Sequence, residues 1–177
     1  MKSIYIIIGC ALAFLSCATS KNSIETNKST EYNRQIEKVF IVSYKVDETE
    51  KTMKAVSEVI VNSLKMKNID SELYYKEFDD LELSPELPKE KIDSFQPDVI
   101  MFIALKSGMY NSYGLTELNL DLAIVDLEMQ KVVWKADVSS KLKARFGFQG
   151  LENKETMKKL GDSIVQKMIE DELLNIK

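Results

Sequence analysis

Chemistry that needs a thiol or an imidazole has little to draw on in this chain of 177 residues, which holds two cysteines, Cys10 and Cys17, and no histidine. Ser-His-Asp and Cys-His nucleophilic pairs, the usual zinc sites and the commonest proton shuttle are therefore missing from its repertoire. Carboxylates remain, and Asp79-Asp80-Leu81-Glu82 gathers three of them. A working acid and base need a cleft that raises one pKa, and a calcium loop wants more oxygen ligands and a glycine, so this cluster reads as a solvated acidic loop. Two other stretches suit contact better than reaction. In Lys106-Ser107-Gly108-Met109-Tyr110-Asn111-Ser112-Tyr113-Gly114, the residues Met109, Tyr110, Asn111 and Tyr113 offer apolar area with hydrogen-bonding tips at low entropic cost, as protein interfaces prefer. In Phe146-Gly147-Phe148-Gln149-Gly150, Phe146 and Phe148 either seal the last helix onto the sheet or form an exposed contact point. Tyr44 and Lys45, after the first strand of the domain, are expected on the same sheet edge as the tyrosine loop. Ser43-Tyr44-Lys45 lacks the glycines that cradle phosphate, so no nucleotide is expected, and no metal or other cofactor either.

The amino terminus carries a different kind of chemistry. Lys2, an uncharged apolar run from Ile4 to Leu15, and a small residue, Ser16, describe a secretory signal too short to span a bilayer permanently. The segment Phe14-Leu15-Ser16-Cys17 resembles the lipobox of bacterial lipoproteins. That resemblance implies that residues 1–16 are removed, that the Cys17 thiol is lipidated, and that the lipid on Cys17 holds the protein to a membrane. Ala18 stands where an acidic residue marks inner-membrane retention in some lipoproteins, so the resemblance implies an outer-membrane anchor facing the periplasm. Cys10 then leaves with the signal and Cys17 is consumed, so no thiol remains for a disulfide or a metal.

Charge narrows the partners. The chain has 24 basic and 28 acidic residues, and losing residues 1–16 removes only Lys2. An acidic balance of this kind argues against nucleic acid as a partner. Residues 17–37 are polar with isolated apolar side chains and no period, which predicts a flexible tether with a root-mean-square span of roughly 25 Å. Residues 38–177 are expected to form a single globular domain.

Within that domain, Val39-Phe40-Ile41-Val42 suits a buried strand. Asp47 with Glu50 reads as a capping-box-like start, followed by Met53, Val56, Ile60 and Leu64 at helical spacing to about Lys67, with Asn68 as a left-handed cap. Ile69 to Phe78 predicts a second strand and Lys89 to Phe95 a short helix. Val99 to Leu105 is the most apolar stretch of the mature chain and predicts a central strand. Leu118, Leu120, Leu122 and Ile124 alternate with polar or small residues, as do Val132, Trp134, Ala136 and Val138, which predicts a hairpin turning within Asp126 to Lys131. Keeping both apolar sets on one face requires an odd-length loop or a bulge. Charge pairing predicts Lys135 opposite Asp121 rather than Asp137 opposite it. Asn153 caps a last helix with a stripe of Met157, Leu160, Ile164, Met168 and Ile169, and Trp134 belongs to the core.

The expected fold is α/β: a mixed five-stranded sheet in the order β-α-β-α-β-β-β-α, parallel at first and then an antiparallel meander, with helices packed on it. With Ala-Ile-Val-Asp-Leu-Glu from Ala123 and Lys-Val-Val-Trp-Lys-Ala to Ala136 on the hairpin, this is similar to small periplasmic α/β domains of three kinds: the amino-terminal domain of TolB, the lipoprotein activators of penicillin-binding proteins, and CsgG-like secretion lipoproteins. The resemblance implies a non-catalytic adaptor that contacts an envelope protein. Two alternatives stand beside it. One is a carrier of a small or lipidic ligand in a cavity lined by Met101, Phe102 and Leu120, and the other is a carboxylate-dependent hydrolase.

Overall fold

The computed structural model describes residues 19–45, 49–77, 87–112, 114–143 and 154–174. Six strands and three helices stand among them, in the order β1 (Thr19–Lys28), β2 (Lys38–Lys45), α1 (Glu50–Lys65), β3 (Asp70–Glu77), α2 (Lys89–Phe95), β4 (Val99–Asn111), β5 (Gly114–Asp126), β6 (Lys131–Lys143) and α3 (Lys154–Glu170). One mixed sheet takes the order β1-β6-β5-β4-β2-β3. β2 runs parallel to β3 and β4, while β4, β5, β6 and β1 pair antiparallel. The α/β class and the parallel-then-antiparallel plan hold, but the sheet has six strands and not five.

The added strand corrects the expected tether. Thr19–Lys28 pairs along its whole length with β6, from Thr19 opposite Lys143 to Lys28 opposite Trp134. Past it, Ser29 donates to the Val133 carbonyl at 2.9 Å, and Tyr32 and Ile36 are buried. Composition hides this because β1 is an edge strand: Lys21, Ser23, Glu25 and Asn27 face water, and Ile24 is its one apolar side chain packed on the core. Ten backbone residues are thus ordered by ladder hydrogen bonds and not by an apolar stripe.

The central strands explain their own composition. Val99, Met101 and Ile103 point into the large core under α1 and α3. Ile100 and Phe102 point to the other face, into a second cluster with Phe40, Val42, Tyr44, Tyr74 and the α2 residues Ile92 and Phe95. A strand covered on both faces has to be apolar at every position. The proposed ligand cavity fails on this geometry, because Met101 and Leu120 lie on the helix side and Phe102 on the opposite face.

Two local expectations also change. α1 begins at Glu50 with Thr49 as N-cap and no side-chain cap hydrogen bond, so Glu50 is not the third residue of a capping box; Asp47 lies outside the described residues. Asn68 does adopt the left-handed conformation, at φ 61°. The β5–β6 register sets Asp121 opposite Asp137 and Lys135 opposite Ala123. The expected bulge is present after Ile124 and swings Val133 inward while Val132 stands 46% exposed. The like charges are tolerated because Lys106, from the neighbouring strand, bonds Asp137 and lies 3.3 Å from Asp121. Its ammonium holds the Asp137 carboxyl below the usual range.

The segment between β1 and β2 is clamped to the β5–β6 turn by Asp126, whose side chain is 1% exposed. One of its oxygens accepts the backbone N–H groups of Glu128 (2.9 Å) and Met129 (2.7 Å), and Arg34 Nη1 reaches its carboxylate at 3.3 Å. Burial, and then the negative charge of Asp126, pushes the Tyr32 hydroxyl up to about 12 from 10.0. A folded-state pKa above the unfolded one gives stability that is complete below pH 10 and is lost as the pH climbs toward 12. Tyr32→Phe should therefore flatten the alkaline limb of the stability curve, by on the order of 1 kcal/mol near pH 11. Urea unfolding across that range reads the difference, and identical limbs for the two proteins would refute it.

Candidate functional site

β4 outruns its neighbour. Its pairing with β2 ends at Ser43 opposite Ile103, yet it continues to Asn111 because β5 supplies partners as far as Asn111 opposite Gly114. Burial changes at the same place: Val99 to Met101 are buried and Lys106 to Asn111 are exposed. The stretch from Lys106 is thus the arm of a hairpin and not the loop expected after Leu105. Ser107 and Gly108 read as turn signals, but register shifts after Leu105 and after Met109 absorb the irregularity within a continuing strand. A Cβ at Gly108 would stand 3.3 Å from Leu115 Cδ1, which explains a small residue inside this strand. Thr116 Oγ1 donates to the Met109 carbonyl at 3.1 Å and braces the tip. Gly114 turns the chain at φ 112°. Met109 is 61% and Tyr110 46% exposed.

The structure brings together Met109, Tyr110 and Asn111, and separates them from Tyr44. Tyr44 is half-buried in the cluster with Phe40. It sits one residue past Ser43, level with the base of the arm, and the arm continues roughly 20 Å beyond the end of β2. Lys45 closes β2 opposite Glu77. Cys17, Asp79 to Glu82, Tyr113, Phe146 and Phe148 lie outside the described residues.

Sequence reading missed a second surface, the outer face of the antiparallel half. No described helix covers it. Register places Glu25, Asp137, Asp121 and Ala104 in one row across the four strands, and Ser23, Ser139, Asn119 and Ser107 in the next. These rows border a surface groove of about 350 Å³. Asn119 Nδ2 donates to Ser107 Oγ at 2.9 Å and to Glu117 Oε1 at 3.1 Å. Glu117 is held below the usual carboxylate range by Asn119 and by Lys141, 3.0 Å away. The alternating polar residues of β5 and β6 were legible, but β1, which completes the face, was not.

Among the described residues no three His, Cys, Asp or Glu side chains are grouped to hold a metal ion. The described carboxyls with a resolved shift, Glu117, Asp137, Asp162 and Asp171, are all pushed down. A general acid requires the opposite. No described helix is long and apolar enough to cross a membrane.

No family model and no curated protein sequence matches the chain. Solved structures do. A PelC dodecamer from Paraburkholderia phytofirmans superposes with a TM-score of 0.56 at 15% identity, over 82% of this chain and 95% of that one. A single-substitution variant of that dodecamer superposes with a TM-score of 0.52 at 14% identity, with the same coverage. At such identities the likeness is one of fold: this chain shares the α/β architecture of a PelC subunit.

Proposed function

We propose that this protein is a lipid-anchored, non-catalytic component of the bacterial cell envelope, held to the outer membrane by acylated Cys17 and acting by contact with a protein partner. The observation that carries the reading is the outer face of the antiparallel half of the sheet, which no described helix covers. That half combines an open edge strand, β1, with a polar face of four strands, and both invite a second polypeptide. Depressed carboxyl pKa values and the lack of histidine support a role without catalysis. The fold shared with a dodecamer supports further copies of this chain as the first partner to seek.

The test is native expression followed by intact-mass analysis and gentle cross-linking in the envelope. A mature chain beginning at acylated Cys17, recovered with stoichiometric copies of itself or of one envelope protein, is the expected result. An unmodified chain recovered as a free monomer would overturn the proposal.

A further inference from the structure

We infer that the β4–β5 hairpin tip is the face this protein lays against the bilayer, with Met109 and Tyr110 entering the headgroup region beside the lipid on Cys17. The inference rests on the reading that Cys17 is acylated, and it names what the tip touches.

The argument is one of reach. A tether of about twenty residues would leave the orientation of the domain free, but β1 starts at Thr19, so only Ala18 stands between the anchor residue and an ordered strand. Two residues span at most about 7 Å. The anchored end of β1 must therefore lie close to the membrane surface. Register says what shares that end. Lys21 pairs with Lys141, Lys141 with Glu117 and Glu117 with Met109, so Met109 lies in the row of Lys21, two residues from Thr19. Tyr110 and Asn111 extend further in the same direction. Across the sheet the tip is three strand spacings from β1, roughly 14 Å.

The side chains fit that position. Met109 and Tyr110 are the exposed large side chains at this end of the described sheet. A tyrosine at the water–lipid boundary buries its ring and keeps its hydroxyl wet. Lys21 and Lys141 stand exposed in the row of Met109, where basic side chains suit anionic headgroups, and Lys141 also meets Glu117 at 3.0 Å. Met66 and Val132, the other exposed large apolar side chains described, belong to the opposite end of the sheet. Val132 follows Lys131, which pairs with Asp126, and Met66 precedes the strand that starts opposite Lys38. That end is roughly 30 Å from Met109 along the strands and outside the reach of the anchor.

Mature lipidated protein has no free thiol on this reading, so a single introduced cysteine can be labelled cleanly. M109C, S112C and K131C variants carrying an environment-sensitive fluorophore would be reconstituted in phosphatidylethanolamine and phosphatidylglycerol vesicles with nitroxide-labelled lipid. Quenching at positions 109 and 112 should exceed that at 131 by at least about twofold, as expected for a contact buried 5–10 Å into the interface. Equal quenching at all three positions, with acylation confirmed by mass and the protein floating with the vesicles, would overturn the seating and leave the anchor intact. A blue-shifted probe at 109 without lipid quenching would place the tip against protein and overturn it likewise. A chain that lacks acyl groups and fails to float would refute the anchor reading, and the seating with it.

Discussion

Asp126→Ala is expected to cost about 3 kcal/mol, because the carboxylate is buried and its removal strands several donors together. The backbone N–H groups of Glu128 and Met129 lose their acceptor, and Arg34, which also meets Glu128 at 2.8 Å, loses its inner partner. The Tyr32 hydroxyl loses its contact as well. The damage should reach beyond the turn, since Arg34 and Tyr32 belong to the segment that joins β1 to β2. Asp126→Asn keeps an oxygen for the two backbone donors but not the charge for Arg34, and should lose about half as much. Urea midpoints at neutral pH measure both. A loss under about 0.5 kcal/mol for the alanine variant would mean that the clamp is incidental.

Gly161→Ala should destabilise the protein although alanine favours helix by about 1 kcal/mol over glycine. α3 crosses α1 at this point so closely that a Cβ on residue 161 would lie 2.4 Å from Val59 Cγ1, 3.0 Å from Val59 Cβ and 3.3 Å from the backbone nitrogen of Ile60. Rotating the valine relieves the first contact but not the other two, and a β-branched side chain in a helix has one strongly preferred rotamer. The helices must separate or shift, at a cost of about 1–3 kcal/mol and roughly 2–4 °C in Tm for each kcal/mol. Val59→Ala in the same chain removes the methyl at 2.4 Å but keeps the contacts to Cβ and to the Ile60 nitrogen, and should restore part of the loss. If the double variant is no better than the single one, close packing at Gly161 is not the reason for the effect.

The contrast between these two positions bears on what a sequence discloses. Asp126 stands at the head of a polar turn between two alternating strands, where an aspartate that bonds the backbone ahead of it is expected chemistry. Gly161 gave no comparable signal: it sits in the middle of the apolar stripe of α3, and only the approach of α1 explains it. The contact surface divides in the same way. Met109 and Tyr110 were visible as residues suited to contact, but Lys106-Ser107-Gly108 read as a turn, and the arm that carries them forward exists because β5 continues to pair. The Asp121–Asp137 pair was expected to be avoided, since pairwise charge logic within one hairpin cannot see Lys106 arriving from a third strand.

By itself the sequence determined the parts whose cause is local. These are the helical stripe of α1 and the short α2, the apolar run that must be covered on both faces, the alternation of β5 with β6, and the absence of imidazole chemistry. Tertiary structure alone decided that the polar stretch after Thr19 is an ordered edge strand, that like charges oppose each other across a ladder, and that a hairpin tip shares an end of the sheet with the start of β1. The reason is physical. Side-chain periodicity records burial, and an edge strand held by backbone hydrogen bonds with one face in water writes almost none of it into its residues.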